Sequence, residues 1–301
     1  MERTELANRL REIGCRVQEQ ELLSAHTTFR IGGAAQLFVT ASTVEQTAQV
    51  LRLCHETDTP LLLLGNGSNL LVSDDGVDGV VLRLATESPG WTVDGTTVTV
   101  HAGATLAKLC IALGELGLSG LEFAYGIPGT VGGGVYMNAG AYGGQLSDVI
   151  CSVTALTPQG EIVVLGKDEL ELGYRHSVFM KNGMTVWSVT MKLQTGEPSA
   201  VRAAMAEYLT RRRDKQPLEY PSAGSFFKRP EGHFAGALIE QCGLKGFTVG
   251  GAQVSEKHAG FIINRDGATC ADVMALGDEV ARRVKDAFGV ELKREVQFVG
   301  R

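Results

Sequence analysis

The stretch IPGTVGGGVYMNAGAYGG, residues 127–144, limits what this chain can become more than any other segment. It holds seven glycines in eighteen positions and no charged side chain. A flexible linker would carry Ser and Lys in place of Ile, Val, Met and Tyr. Glycine lets main chain approach a neighbour closely and tolerates φ > 0. The segment therefore fits main chain packed on a large flat ligand, or a tight crossing of strands. A second glycine-rich run, GNGSN (65–69), follows the apolar PLLLLG. Closely spaced N–H groups there fit a phosphate cradle or a plain turn. The run is neither a Rossmann G-x-G-x-x-G nor a Walker A loop, since no G-K-[ST] follows. Two such segments together favour a dinucleotide held outside the Rossmann class.

The remaining composition is that of a globular protein. Of 301 residues, 44% are hydrophobic and 21% charged, and 38 are glycine. A net charge of −6 offers no basic excess for tracking nucleic acid, while leaving room for a local anion site. Cys15, Cys54, Cys110, Cys151, Cys242 and Cys270 are scattered and form no C-x-x-C. A zinc site or redox pair is not expected. The opening MERTELANRLREIG lacks the apolar core of a secretion signal, and no run approaches a membrane span. A reduced, cytoplasmic protein is expected.

The pattern along the chain predicts mixed helices and strands, including an early β-α-β unit. Residues 1–17 read as an amphipathic helix, and 31–42 as a turn followed by a strand. Val44, Ala48, Leu51 and Cys54 recur at helical spacing, with Ser42 and Glu45 as a capping box. PLLLLG reads as a short buried strand. GVVLRL, TTVTVHAG, VTALTPQG, EIVVLG and TVWSVTMKLQTG read as further strands, with one helix near 105–117. After EPS, residues 199–215 read as a helix with a basic end. The tail carries one clear helix over ADVMALGDEVARRVKDAFG, with Val273, Leu276, Val280, Val284 and Ala287 on one face and Gly289 as C-cap. A boundary is expected near 196 and a weaker one near 80.

Several polar residues could carry chemistry. Arg175 lies in the aromatic setting GYRHSVF, where a surface ion pair is the plain alternative. Glu295 heads a terminal strand in LKREVQFVG, where an exposed strand-end carboxylate is the alternative. Lys215 ends a basic helix, fitting a diphosphate contact or a cation complementing the helix dipole. The histidines show no ligand spacing, so no catalytic metal is expected. Ser225 and Lys228, in PSAGSFFKRP, match the Ser-x-x-Lys of penicillin-binding proteins, but no Ser-Asp-Asn or Lys-Thr-Gly accompanies them.

Taken in order, HTTFRIGG, LGNGSNLLV, GIPGTVGGGVYMNAGAYG, YRHSVF, RRRDKQPL, PSAGSFFKRP, GLKGFTVGGAQVSEKHAGFIIN and EVQFVG resemble the UDP-N-acetylenolpyruvoylglucosamine reductases. These are the flavoenzymes of peptidoglycan precursor synthesis. The likeness runs from about residue 20 to 300. GNGSN alone is shared with other flavoproteins of the vanillyl-alcohol-oxidase type. The resemblance implies a two-lobed FAD-binding region of that type over 1–196, with sub-lobes about 1–80 and 81–196. It implies an α+β substrate-binding domain over 197–301. It further implies FAD contacts at Gly65, Asn66, Gly67, Ser68, Asn69 and Leu70 for the pyrophosphate. Flavin contacts would come from Pro128, Gly129, Thr130, Gly132, Gly133, Asn138, Gly140, Ala141, Tyr142 and Gly143. By the same pattern Arg175, Ser225 and Glu295 form the catalytic trio, and Lys215, Lys228 and His258 meet the nucleotide substrate.

The implied reaction uses NADPH to reduce FAD, then reduces UDP-N-acetylglucosamine enolpyruvate to UDP-N-acetylmuramate. Hydride goes to C3 and a proton from Ser225 to C2, while Arg175 and Glu295 stabilise the enolate. No nucleic acid, membrane or obligate protein partner is implied. The short spacing resembles the form that lacks an extra substrate-closing loop. Lys293 departs from an acidic residue often found before the terminal Glu-Val. A flavin oxidase of the same fold, a serine acyl-enzyme and a nucleotide-binding protein without activity are the rival readings.

Overall fold

The structure is a computed structural model and describes residues 2–86 and 88–301. The chain forms two compact units, each assembled from pieces distant in sequence. The first comprises Met1–Glu19, Leu37–Asn66 and Gly79–Arg211; the second comprises Gln20–Gln36, Gly67–Asp78 and Arg212–Arg301. Both units mix helices and strands, so the fold is α+β.

An antiparallel five-stranded sheet organises the first unit. Its order is Ile162–Gly166, Ile150–Leu156, Thr185–Lys192, Thr97–His101, Trp91–Asp94. Period-two alternation turns one face inward. Val153 lies opposite Val189, Val189 opposite Val100, and Met191 opposite Val98, all fully buried. Burying each such side chain is worth about 1.5–3 kcal/mol. Helix Leu106–Glu115, capped by Thr105, adds Leu106, Leu109 and Leu113 to the same core. A further sheet orders Arg16–Leu22, Ala34–Ala41, Val77–Leu84 and Leu61–Leu63.

The second unit centres on the antiparallel sheet Ser222–Ser225, Phe261–Asn264, Ala252–Val254, Thr248–Val249. Helix Cys270–Phe288 packs Val273, Leu276, Val280 and Val284 into its core. A Thr269–Asp272 capping box starts this helix and Gly289, at φ +69°, ends it. Gly277 is required on its inner face, because a Cβ there would lie 2.5 Å from the Phe226 ring. The short strand Gln297–Val299 runs parallel to Leu70–Val72.

Several expectations are corrected. The first helix ends at Glu12, where Gly14 turns the chain at φ +89° into a polar strand. Helix Val44–Glu56 is capped by Thr43, which accepts from Gln46 N–H, and Ser42 N–H donates to the Gln46 side chain. The Ser42–Glu45 box is therefore not formed. Strand Leu61–Leu63 is only partly buried, and Ala287 is exposed past the last buried turn of its helix. Three short helices were not anticipated, Val131–Tyr136, Phe179–Asn182 and Ala235–Gln241. EPS does break the chain, and Pro198 opens the next helix, Pro198–Lys215.

Candidate active site

Within the first unit the fold brings Gly65 and Asn66 beside the second glycine-rich segment. Asn66 Nδ2 donates to Pro128 O at 3.2 Å. A Cβ on Gly65 would lie 2.7 Å from Thr130 Oγ1. The N–H groups of Gly65, Asn66, Gly67 and Ser68 meet no hydrogen-bond acceptor among the described residues. Successive N–H groups in a glycine-rich loop can converge on an anion. Gly67 has φ +58°, and a Cβ there would lie 2.4 Å from His26 O. No side chain fits.

Helix Val131–Tyr136 does not offer a comparable cradle. Val131 N donates to Ala104 O, Gly132 N to Ala102 O, and Gly133 N to the capping Thr130 Oγ1. Gly129 O accepts from Leu106 N. Beyond this helix Gly140–Ala141 pairs with Gly144–Gln145 through a turn at Tyr142 and Gly143, both at positive φ. The Tyr142 ring stacks on Tyr208, with centroids 4.8 Å apart and planes 3° apart. Asn138 is 1% exposed, and its amide is engaged within the protein. It offers a ligand main chain only.

Arg175 sits in a two-residue hairpin turn. Gly173 N donates to His176 O and His176 N to Gly173 O. Arg175 takes the second central position at φ +50°, and its Nη2 donates to Gly140 O at 3.3 Å. A non-glycine residue in the left-handed region costs roughly 1–2 kcal/mol, and such strain concentrates at functional sites.

Ser225 and Glu295 lie on neighbouring segments of the second unit. Strand Ser222–Ser225 pairs with Phe261–Asn264 across an irregularity at Gly224. The chain beyond it pairs with the terminal segment: Glu295 N donates to Phe226 O at 2.8 Å, Phe227 opposes Arg294, and Lys228 N donates to Lys293 O. Asn69 Nδ2 donates to Glu295 O at 3.1 Å, and Gln297 N to Asn69 O. Leu70 opens the strand beside Gln297. Sequence reasoning missed both the tie from Asn69 to Glu295 and the anchoring of Ser177, which is buried and donates to Tyr136 O. Neither pair shows a local motif.

The Ser225 hydroxyl has no hydrogen-bond partner among the described residues, neither Lys228 nor a histidine. Ser225 also ends a strand, where residues three apart do not share a face. The nucleophile reading therefore loses its base. The same hydroxyl is free to meet a ligand. Lys215 is exposed at the helix end, and Lys228 makes no ion pair among the described residues. His258 Nδ1 accepts from Gly260 N at 3.1 Å, and burial lowers its pKa below 6.5.

The FAD binding domain family matches residues 35–166. The family of the UDP-N-acetylenolpyruvoylglucosamine reductase C-terminal domain matches residues 216–299. A UDP-N-acetylenolpyruvoylglucosamine reductase from Lachnoclostridium phytofermentans is 50% identical, over 95% of this chain and 93% of its own length. The chain belongs to the UDP-N-acetylenolpyruvoylglucosamine reductase family. A second reductase of this name, from Shouchella clausii, is 49% identical over 94% of this chain. The crystal structure of the Thermus caldophilus reductase aligns at TM-score 0.80 and 38% identity, covering 94% of this chain and 99% of that one. As a member of the reductase family the chain is an FAD-dependent oxidoreductase. The acceptor-less N–H groups at 65–68 and the close-packed glycine backbone fit a dinucleotide.

Proposed function

We propose that the protein reduces the enolpyruvyl group of UDP-N-acetylglucosamine enolpyruvate to UDP-N-acetylmuramate, with NADPH as reductant, in the cytoplasm. The observation that carries this reading is the near whole-length similarity to reductases of that name. Among the described residues no helix is long and apolar enough to cross a membrane. We further propose that residues 1–196 form the FAD-binding region and that residues 197–301 bind substrate.

In this reading Gly65, Asn66, Gly67, Ser68, Asn69 and Leu70 hold the FAD pyrophosphate, and main chain from Pro128 to Gly143 lines the flavin. Bound FAD supplies hydride carriage between NADPH and the substrate double bond. What remains for the chain is charge and proton control. Hydride at C3 leaves negative charge at C2, conjugated with the substrate carboxylate. The Arg175 guanidinium stays protonated and can fork onto that carboxylate. Glu295 assists Arg175 in stabilising the enolate. Ser225 Oγ, without a protein partner, gives its proton to C2. Lys215, Lys228 and His258 contact the nucleotide.

The visible spectrum of purified protein tests this reading. Flavin absorption should bleach with NADPH under nitrogen and return on adding the enolpyruvyl substrate. A colourless protein that takes up no FAD, or a β-lactam adduct on Ser225, would sink it.

A further inference from the structure

We propose that Asn138 is a positioning residue for Arg175, and that its amide holds the Arg175 turn rather than the cofactor. The inference rests on the reading of Arg175 as the substrate-carboxylate contact.

Asn138 follows helix Val131–Tyr136 and has φ +41°. Asparagine is among the few residues that accept this region. Its side chain is bonded at both its oxygen and its nitrogen. Oδ1 accepts from Ser147 N at 2.9 Å. Nδ2 donates to Gly173 O at 3.0 Å, with longer contacts to Gln145 Oε1 and Ser147 Oγ, both 3.4 Å. Gly173 O also accepts from His176 N, the bond that closes the turn. Both lone pairs of that carbonyl are therefore committed.

The segment 136–140 acts as a template for the turn. Tyr136 O accepts from Ser177 Oγ at 2.7 Å on one flank, and Asn138 Nδ2 holds Gly173 O on the other. Gly140 O accepts from the Arg175 guanidinium between them. Of these three template contacts, those at 136 and 140 use main-chain carbonyls, which substitution leaves in place. The contact at 138 depends on a side chain. Without it, a half-buried carbonyl loses a donor and the positive φ of Arg175 loses the bond that offsets its strain. A ligand could take the amide only by breaking these bonds.

The experiment compares wild type with Asn138→Asp, Asn138→Gly, Arg175→Ala and the two double variants, all as FAD-loaded protein. Aspartate tolerates the backbone and keeps the acceptor for Ser147 N, but loses the donor to Gly173. Glycine relieves the backbone and removes the whole amide, so one variant remains informative if the other folds poorly. Three quantities are read: amide hydrogen exchange over 173–177, calorimetric affinity for UDP-N-acetylmuramate, and affinity for UDP, which lacks the carboxylate. Exchange in the turn should rise. Affinity for the carboxylate ligand should fall about tenfold to a hundredfold, as expected for a misplaced clamp, while UDP affinity is unchanged. In the Arg175→Ala background the change at 138 should add almost nothing.

Equal losses with and without Arg175, or loss of FAD with the turn still protected, would overturn the proposal. If Arg175→Ala itself leaves affinity for the carboxylate ligand intact, the reading of Arg175 fails. The exchange data then still decide whether Asn138 holds the turn.

Discussion

The turn carrying Arg175 adds two side-chain clamps to its main-chain closure, whereas the segment carrying Ser225 and Glu295 is held chiefly by main-chain pairing. At the turn, Asn138 and Ser177 clamp a backbone at φ +50°. In the second unit, Glu295 N to Phe226 O and Lys228 N to Lys293 O form a ladder that persists whatever side chains it carries. The difference separates two kinds of constraint. The ladder positions residues 225 and 295 while leaving their side chains replaceable. The turn ties the placement of one guanidinium to the identity of its neighbours. Substitution in the ladder should therefore report chemistry, and substitution around the turn should report geometry.

Ser225→Ala gives the largest expected effect and the cleanest reading of the ladder. The backbone pairing survives, so only the proton donor is lost. Reoxidation of reduced protein by the enolpyruvyl substrate should slow by about 10²–10⁴-fold. Reduction by NADPH should stay near the wild-type rate. Rapid-mixing photometry separates the two half-reactions. Equal slowing of both would mean that the alanine disturbs the ladder or the flavin, and the proton-donor role would fall.

Arg175→Lys tests the turn by the same measurement. Charge is kept, but the planar fork is lost, and lysine at this position meets the same backbone strain. Slowing of about a hundredfold in the substrate half-reaction is expected, the worth of one oriented donor. Wild-type kinetics would show that charge alone matters at 175, and the contrast between ladder and turn would lose its functional meaning.

The contrast also explains what could be read beforehand. Elements whose cause is local were legible. Helix Cys270–Phe288 shows its apolar stripe, and Gly289 announces its end. Thr97–His101 shows its alternation. Helix Val131–Tyr136 was hidden because glycine disfavours helix by about 1 kcal/mol per residue. Tertiary contact overrides that preference: a Cβ on Gly132 would lie 2.8 Å from Ala102 Cβ, and Thr130 caps the turn. Arg16–Leu22 was hidden because its exposed polar residues show no apolar period. At the site, motif resemblance picked out Arg175, Ser225 and Glu295 as residues. The bonds from Asn138 to Gly173 and from Asn69 to Glu295 link positions 35 and 226 residues apart, and no local pattern encodes them. The resemblance grouped Asn138 with the flavin contacts; its buried amide instead meets protein.

The smallest expected effect compares two matching turns, one in each unit. His101-Ala102-Gly103 and His258-Ala259-Gly260 share one geometry: Nδ1 accepts from the glycine N–H, at 3.0 and 3.1 Å. Each ring stands edge-on to an aromatic, Trp187 for His101 and Phe261 for His258. Burial lowers both pKa values below 6.5. At His258, Lys245 pushes the same way, while Glu240 and a backbone hydrogen bond oppose it. Protonating Nδ1 would also remove the acceptor. The unfolded chain therefore binds more protons than the folded one below pH 6.5, and stability is lost as pH falls through the folded-state values. Asp272, held below 3.8 chiefly by the Thr269 N–H, acts in a separate and more acidic window. Urea midpoints of the FAD-loaded protein should therefore fall as pH drops below about 6.5. His101→Asn should flatten that fall for the first unit and His258→Asn for the second. A midpoint that stays level through this range in wild type would show that neither ring is neutral because of burial.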